Sequence, residues 1–388
     1  MTLIFSYSLR NLWTRRFTTI LTAGGMALVS AVLAAALMLA EGLERTLIDT
    51  GSPDNAIVLR GSAETEVGSS IDREDAAIIQ VQPEIARKPN GEPLSAAETL
   101  ILVYLTKKGT DKAAHVQVRG VWPYSLELRP QVKLISGRLF RPGSHEVVVG
   151  SSIARRIADS ELGGTLHFAL TDWKVVGVFD GSGTGFDSEV WADAERLMAA
   201  FRRNSYSAVI ARVPSGSAFE GLKSRLEKDP RLSVQVKREV EFYREQSEVM
   251  AKFIRILGTA MTIFFSVGAI LGAMVTMYTA VANRTGEIGT LRALGFKRRS
   301  ILAAFLGESL FLGLFGGTAG ILCGSLLQFV TISTLNWGTF SELAFGFRLT
   351  PQIAFYTLAF AAAMGLLGGM LPAWRAARLE IVDALRSS

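Results

Sequence analysis

Few residues in this 388-residue chain have the types and spacing that chemistry needs. The three histidines, His115, His145 and His167, lack a second His, Cys or carboxylate at metal-ligand spacing, so they read as strand or surface residues and no metal is expected. A Gly-Lys dipeptide is absent, which excludes the G-x-x-x-x-G-K-[ST] phosphate loop. Ser182 lies in a Gly-Ser-Gly-Thr-Gly run over 181–185, but no G-x-S-x-G nucleophile turn accompanies it, and a glycine-rich surface turn is expected. The single cysteine, Cys323, excludes an internal disulfide and is expected to pack among small residues. Glu308 stands out, because it lies in a long apolar stretch where an acid is costly and therefore functional by default. About two turns from the end of that stretch, it could reach water or Arg298, and a structural role is favoured over proton coupling. No catalytic residue is predicted.

The elements around these residues are unevenly distributed. Hydrophobic residues make up 49% of the chain and charged residues 20%, with a mean hydropathy of +0.30. This combination excludes disorder and points to several bilayer spans plus one polar domain. Four long stretches lack Asp, Glu, Lys and Arg, each long enough to cross a bilayer. The predicted order is an amphipathic segment over 1–16, a first span over 17–40, an outer α+β domain over 41–250, and a second span with its stalk helix over 251–283. A coupling segment follows over 284–299, then a third span over 300–338, a short outer loop over 339–348, a fourth span over 349–372 and a tail over 373–388. The first apolar stretch is too long for a secretory signal, whose apolar region runs to about 7–15 residues, so it is expected to stay as an anchor. Gly24 and Gly25 in the first span, and Gly316, Gly317, Gly320 and Gly324 in the third, are predicted packing positions, because small residues let helices approach closely. Trp13, Trp337 and Trp374 lie at span ends, where an indole suits the headgroup layer.

Charge sets the orientation. The first 16 residues, the 284–299 segment and the tail together hold eleven basic residues against Glu287, Glu380 and Asp383, an excess larger than the +6 of the whole chain. Both termini and the coupling segment are therefore expected on the cytoplasmic side. The positive charge is a topology signal, and no nucleic-acid partner is predicted.

In the outer domain, apolar runs and alternation predict strands at 56–59, 99–106, 115–122, 146–149, 173–179, 207–213 and 233–237. Helices are predicted at 151–159, 191–203 and 217–228, the last with Ser217 as N-cap and Glu220 three residues on. One long helix is predicted over 240–282. No repeat of 20–50 residues is visible, so any duplication would come from a second copy or a homologous partner.

The segment from Asn283 to Ile301 is the most informative. Ile288, Leu291 and Leu294 can share one face of a short helix, Glu287 and Arg292 supply polar contacts, and Gly295 suits the helix end. A short helix between two spans with an apolar ridge could dock on a partner, or be an ordinary interfacial helix with a positive cluster beside it. The pattern Glu287-Ile288-Gly289-x-Leu291-Arg292-Ala293-Leu294-Gly295 resembles the cytoplasmic loop of FtsX-like ABC transporter permeases, the family of MacB, LolC, LolE and FtsX. The tail from Leu371 to Arg386 is similar to that family's ending, with Ile381 where proline is usual. Ser136-Gly137-Arg138, the run over 146–150 and Lys174 to Val178 resemble its MacB-type periplasmic core.

That resemblance implies a permease in a bacterial inner membrane that is not itself an enzyme. Its partners would be two copies of a separate ATP-binding subunit, which would hold the ATP and Mg, and a second permease chain, identical or homologous. Membrane lipids surround it, and the family also allows a periplasmic adaptor. Glu287 to Gly295 would dock on the ATPase, and the long helix would carry the motion outward, expelling or extracting a lipid, lipoprotein, peptide or drug by mechanotransmission. Gly24 and Gly25 would pack on the second helix or on the dimer mate. The alternative is a signalling scaffold that activates an outer partner such as a cell-wall hydrolase. An intramembrane enzyme is disfavoured, because the spans lack paired catalytic residues.

Overall fold

A computed structural model describes residues 16–336 and 339–380. Trp13, Trp337, nearly all of the 1–16 segment and the tail motif from Ile381 onward lie outside these residues. In chain order, α1 (Arg16–Ile48) is followed by β1 (Asn55–Arg60), β2 (Ile71–Asp72), α2 (Arg73–Gln80), β3 (Ser95–Thr106) and β4 (Ala113–Val121). Next come β5 (Lys133–Gly137), β6 (Glu146–Gly150), α3 (Ser151–Arg156), β7 (Thr165–Phe168), β8 (Thr171–Asp180) and β9 (Glu189–Asp193). Then follow α4 (Ala194–Ala200), β10 (Ser205–Tyr206), β11 (Ala208–Arg212), α5 (Gly216–Lys228) and β12 (Val234–Arg238). The chain ends with α6 (Glu239–Ala282), α7 (Thr285–Ala293), α8 (Arg298–Ser325), β13 (Thr331–Leu335), β14 (Glu342–Gly346) and α9 (Pro351–Arg378).

These elements form two units. The helical unit holds residues up to Glu41, Lys252–Val330 and the chain from Gly346 onward. Among the described residues, four helices are long and apolar enough to cross a membrane: Thr19–Ile48, Glu239–Ala282, Arg298–Phe329 and Pro351–Arg378. The chain's small residues bring these helices together. Gly316, Gly320 and Gly324 recur every fourth residue along one face of α8 and meet Ala23, Ala27 and Ala34 of α1. A Cβ built on Gly320 would lie 2.5 Å from the Ala27 carbonyl oxygen, so only glycine allows this approach. The adjacent face of α8 uses Gly313 and Gly317 against Ala361 of α9.

The α/β unit holds Gly42–Ala251 and Thr331–Phe345. Its ten-stranded sheet runs β12-β1-β11-β3-β4-β9-β6-β8-β5, with β7 added on β8. Most neighbours are antiparallel, while β4–β9 and β6–β8 are parallel. One core gathers around Val58, Ile79, Val209 and Leu222 under α2 and α5. Another gathers around Val118, Val147, Trp173 and Leu197 under α3 and α4.

Three expectations are corrected. The third apolar helix runs to Ser325, continues as a 3-10 turn to Phe329, and the chain then forms the β13–β14 hairpin, so the stretch predicted as span to 338 and outer loop to 348 is largely hairpin beyond Val330. Lack of charge did not distinguish a span from the β-branched run Val330, Thr331, Ile332 and Thr334, which favours strand. The 191–203 helix begins only at Ala194. Val190, Trp191 and Ala192 lie in buried β9, and the Asp193 side chain caps α4 by accepting from Arg196 N. The cap of α5 is Ser215, which accepts from Ala218 N, and Ser217 lies inside the helix.

The β7–β8 connection has two residues, Ala169 and Leu170, with φ of 52° and 56°. A turn with both residues left-handed normally takes Asn-Gly, because a side chain there costs about 1–2 kcal/mol. Leu170 is 96% exposed and recovers nothing through packing. Leu170→Gly is expected to stabilise the α/β unit by about 1 kcal/mol, read as a higher unfolding midpoint of the full chain. An unchanged or lower midpoint would refute strain at this turn.

Candidate functional site

The segment between α6 and α8 is held by its own side chains. α6 ends at Ala282, and Arg284 occupies the position before α7. Arg284 Nη1 donates to Glu308 Oε2 at 3.0 Å, and both side chains are buried, with 7% and 4% exposure. Glu308 thus pairs with Arg284, whereas the sequence offers water or Arg298. Ile288 enters a core of Met277, Val281, Ile301, Phe305, Ala373 and Ala376, with Leu291 packed at its edge. Arg292 Nη1 donates to the Ala377 carbonyl at 3.1 Å. The helix closes on Gly295, at φ 95°. Gly295 N donates to Arg292 O and Phe296 N to Leu291 O, each at 3.1 Å. This paired closure needs a left-handed residue at Gly295.

The expected apolar ridge is therefore divided. Ile288, Gly289 and part of Leu291 face the chain's own core, whereas Glu287, Thr290 and Leu294 are exposed, Leu294 at 73%. These three recur at positions i, i+3 and i+7, one face of a helix. Arg298 and Arg299 follow at the exposed start of α8. Gly24 and Gly25 do not pack on the second apolar helix, since a Cβ built on either meets nothing within 4 Å. Gly25 lines a groove of about 420 Å³ with Thr22, Val29, Gly268 and Gly272, and at its end Thr22 Oγ1 donates to Thr276 Oγ1 at 2.8 Å. Cys323, expected to pack internally, is exposed.

The α/β unit contains a buried charge cluster that the sequence did not announce. Arg119 on β4 donates from Nε and Nη2 to Glu189 of β9, both at 2.8 Å, and from Nη1 to Glu66 at 2.6 Å and Glu98 of β3 at 3.3 Å. Arg129 clasps Glu98 with both terminal nitrogens, Nη2 at 2.6 Å from Oε2. Trp191 Nε1 adds a 2.8 Å bond to Glu189. Burial opposes charge on Arg119, but Glu189 and Glu66 more than offset it and hold its pKa well above the ordinary value. Burial likewise opposes charge on Glu98, and Arg129 and Arg119 hold that carboxyl below its ordinary range.

The cluster adjoins the start of the long helix. Tyr243, one turn into α6, donates to Glu66 at 3.4 Å. Glu239, the first residue of α6, accepts at Oε2 from Ser52 N at 2.9 Å and Asn55 Nδ2 at 2.8 Å. Its Oε1 has no hydrogen-bond partner among the described residues. Burial raises the Glu239 pKa, with Glu98 adding to the rise and Arg129 opposing it. Gly51 lies so close that a Cβ there would be 2.7 Å from the Glu239 carbonyl carbon.

The glycine run over 181–185 wraps an internal carboxylate. Asp187 Oδ1 accepts from Gly181 N at 2.8 Å and Ser151 Oγ at 3.0 Å, and Oδ2 accepts from Gly183 N at 2.9 Å. These amides are engaged by the chain itself and are not directed at a phosphate. His167 pairs with Asp172 at 2.8 Å, and His145 meets the Trp173 ring edge-on. Among the described residues no group of three or more His, Cys, Asp or Glu is placed to hold a metal.

Two measurements check these assignments. A carboxyl with a raised folded pKa contributes fully below its unfolded pKa and loses that contribution as pH rises through the folded value. Glu239→Gln keeps an acceptor for Ser52 and Asn55 without the charge. The variant should match wild type near pH 4 and exceed it in unfolding midpoint at pH 8; equal midpoints at pH 8 would show that the Glu239 pKa is not raised on folding. Glu308→Ala leaves Arg284 buried without this carboxylate and should cost about 3–5 kcal/mol, whereas a loss below about 1 kcal/mol would make the pair solvent-screened.

Two family models match the chain. Residues 19–229 match the MacB-like periplasmic core domain, and residues 259–381 match the FtsX-like permease C-terminal domain. The macrolide export ATP-binding/permease protein MacB of Bdellovibrio bacteriovorus is 25% identical over 93% of this chain and 57% of that protein. The pyoverdine export ATP-binding/permease protein PvdT of Pseudomonas entomophila is 24% identical over 97% of this chain and 58% of that protein. The ABC transporter permease YknZ of Bacillus subtilis is 29% identical over 66% of each. The chain thus spans less than three fifths of the MacB and PvdT relatives. Among solved structures, the periplasmic region of MacB from Actinobacillus actinomycetemcomitans is 16% identical, covering 51% of this chain and 94% of that one at a TM-score of 0.37. With two family models accounting for most of its length, the chain belongs to the FtsX-like ABC transporter permeases that carry a MacB-like periplasmic core domain.

Proposed function

We propose that this chain is the membrane subunit of an exporter whose ATP hydrolysis occurs on a separate ATP-binding subunit. The observation that carries this reading is α7: Ile288 and the Arg284–Glu308 pair fix it to its own unit, while Glu287, Thr290 and Leu294 form an exposed, unfilled face. A helix held that firmly passes on a push at its outer face with little lost to local bending. ATP and Mg would reside on that ATP-binding subunit.

Two permease chains, identical or homologous, would pair in a bacterial inner membrane with both termini and α7 in the cytoplasm, as the basic segments suggest. Gly24, which is exposed, and Gly25, which is half-buried, leave open space that suits contact with the second chain. ATP-driven closure of the partner subunits would move α7 and the spans. The continuous α6, 44 residues long, would relay that motion to the α/β unit, which would expel or extract a lipid, lipoprotein, peptide or drug on the outer side. The names of the MacB and PvdT relatives support export over signalling.

The test is co-purification of the chain with its ATP-binding subunit in lipid nanodiscs, followed by ATPase assay. Leu291 is a poor probe, since it packs inward. Glu287→Lys/Leu294→Asp should reduce bound ATPase about tenfold or more, equivalent to about 1.4 kcal/mol, with the unfolding midpoint unchanged. A double variant that binds and hydrolyses like wild type would overturn the docking role of α7.

A further inference from the structure

The hairpin of β13 and β14 joins two apolar helices, yet it belongs to the α/β unit. Its attachments come from four places in that unit. Glu342 Oε1 pairs with Lys107 Nζ at 2.7 Å, beyond the end of β3. Glu342 Oε2 pairs with Arg156 Nη1 at 3.3 Å, on α3. Ala344 N donates to Ser188 Oγ at 3.0 Å, just before β9. His115 Nδ1 lies 2.9 Å from the Phe340 carbonyl, on β4. Leu343, Ala344 and Phe345 are buried.

What the hairpin covers gives it significance. Asn336, Ser341 and Leu343 share the walls of a small cavity, about 20 Å³, with Gln117, Arg119 and Glu189. On β4, His115, Gln117 and Arg119 point to one face because strand side chains alternate. That polar face would be solvated on an open sheet. Here the hairpin lies over it, above an arginine that three carboxylates hold out of water.

We propose that the β13–β14 hairpin is a strap that latches the roof of the Arg119 cluster, with Glu342 as the latch. One end continues into α8 and the other into α9, each through a short connection. Displacement of either helix is therefore delivered to β4 and β9 by a route separate from α6. Lifting the strap admits water to Arg119, Glu66 and Glu189 and weakens their pairing, because ion pairs lose strength in high dielectric. The source of the displacement rests on the transport reading above; the latch does not.

The test is hydrogen–deuterium exchange on the full chain in nanodiscs, without nucleotide and then with the ATP-binding subunit and ATP. Glu342→Gln should raise exchange in 331–346 about tenfold, as for loss of about 1.4 kcal/mol. Exchange in β4 and β9 should rise with it, while β1 and β12 at the far end of the sheet stay unchanged. Glu342→Asp, which keeps the charge, should restore most of the protection. The latch is overturned if Glu342→Gln leaves the hairpin at the wild-type rate, or if the hairpin loosens while β4 and β9 do not. The latch is also overturned if the whole sheet loosens together, which would make Glu342 a general stability residue. A wild-type chain whose hairpin and sheet ignore ATP, while Glu342→Gln still frees both, would refute the transport reading and uphold the latch.

Discussion

A guanidinium removed from water must be met by charge on every side, and Arg119 is the residue on which that constraint falls. Its partners come from β3, β9 and the chain after β1, so the cation can be satisfied only when these segments lie in one register. A second arginine, Arg129, draws the turn after β4 to the same place. The first turn of α6 adds Tyr243. Replacing such a cluster by apolar residues often leaves stability unchanged or higher, so specificity is the role that remains: few alternative packings of these strands satisfy both arginines. The origin of the long helix is thereby tied to the centre of the sheet.

The helical unit meets a different constraint with a different solution. Helices in lipid gain little from apolar burial against one another, so close contact must come from shape. α8 supplies two glycine faces, one toward α1 and one toward α9. At the end near α7, Arg284 and Glu308 form an ion pair that fixes the turn. The result is a bundle packed backbone to backbone on some sides and left open on others. The open sides include the groove lined by Gly25, Gly268 and Gly272.

The spans, the long helix and most of the central strands were legible because each follows a local rule: absence of charge over about 20 residues, or alternation over about 6. The turn at Gly295 and the short helix before it were legible for the same reason. What stayed hidden depends on contacts distant in sequence. Arg119 alternates with Val116 and Val118, and with His115 and Gln117 on its own side it reads as part of a solvated outer face. Phe186, Glu66, Tyr243 and the hairpin, the last more than 200 residues later, together make that face interior. The ridge at Ile288, Leu291 and Leu294 was correctly placed on a helix, but its direction was not encoded locally. Whether an apolar residue faces a partner or its own core depends on Phe305 and Ala373, which belong to other helices. Trp191 was assigned to a helix because Ala, Glu, Arg, Leu and Met follow it. The strand won because the residue lies between β4 and β6, a tertiary fact.

The sheet order carries one more consequence. The α/β segment enters the sheet on β1 and leaves it on β12, and these two strands are hydrogen-bonded neighbours, Ala56 opposite Arg238 and Arg60 opposite Val234. A domain whose two ends lie side by side can be inserted into a host chain without stretching either connection. The outer part of this permease is in that sense a cassette. Lineages could exchange or enlarge it while the apolar helices retain their sequence and their packing.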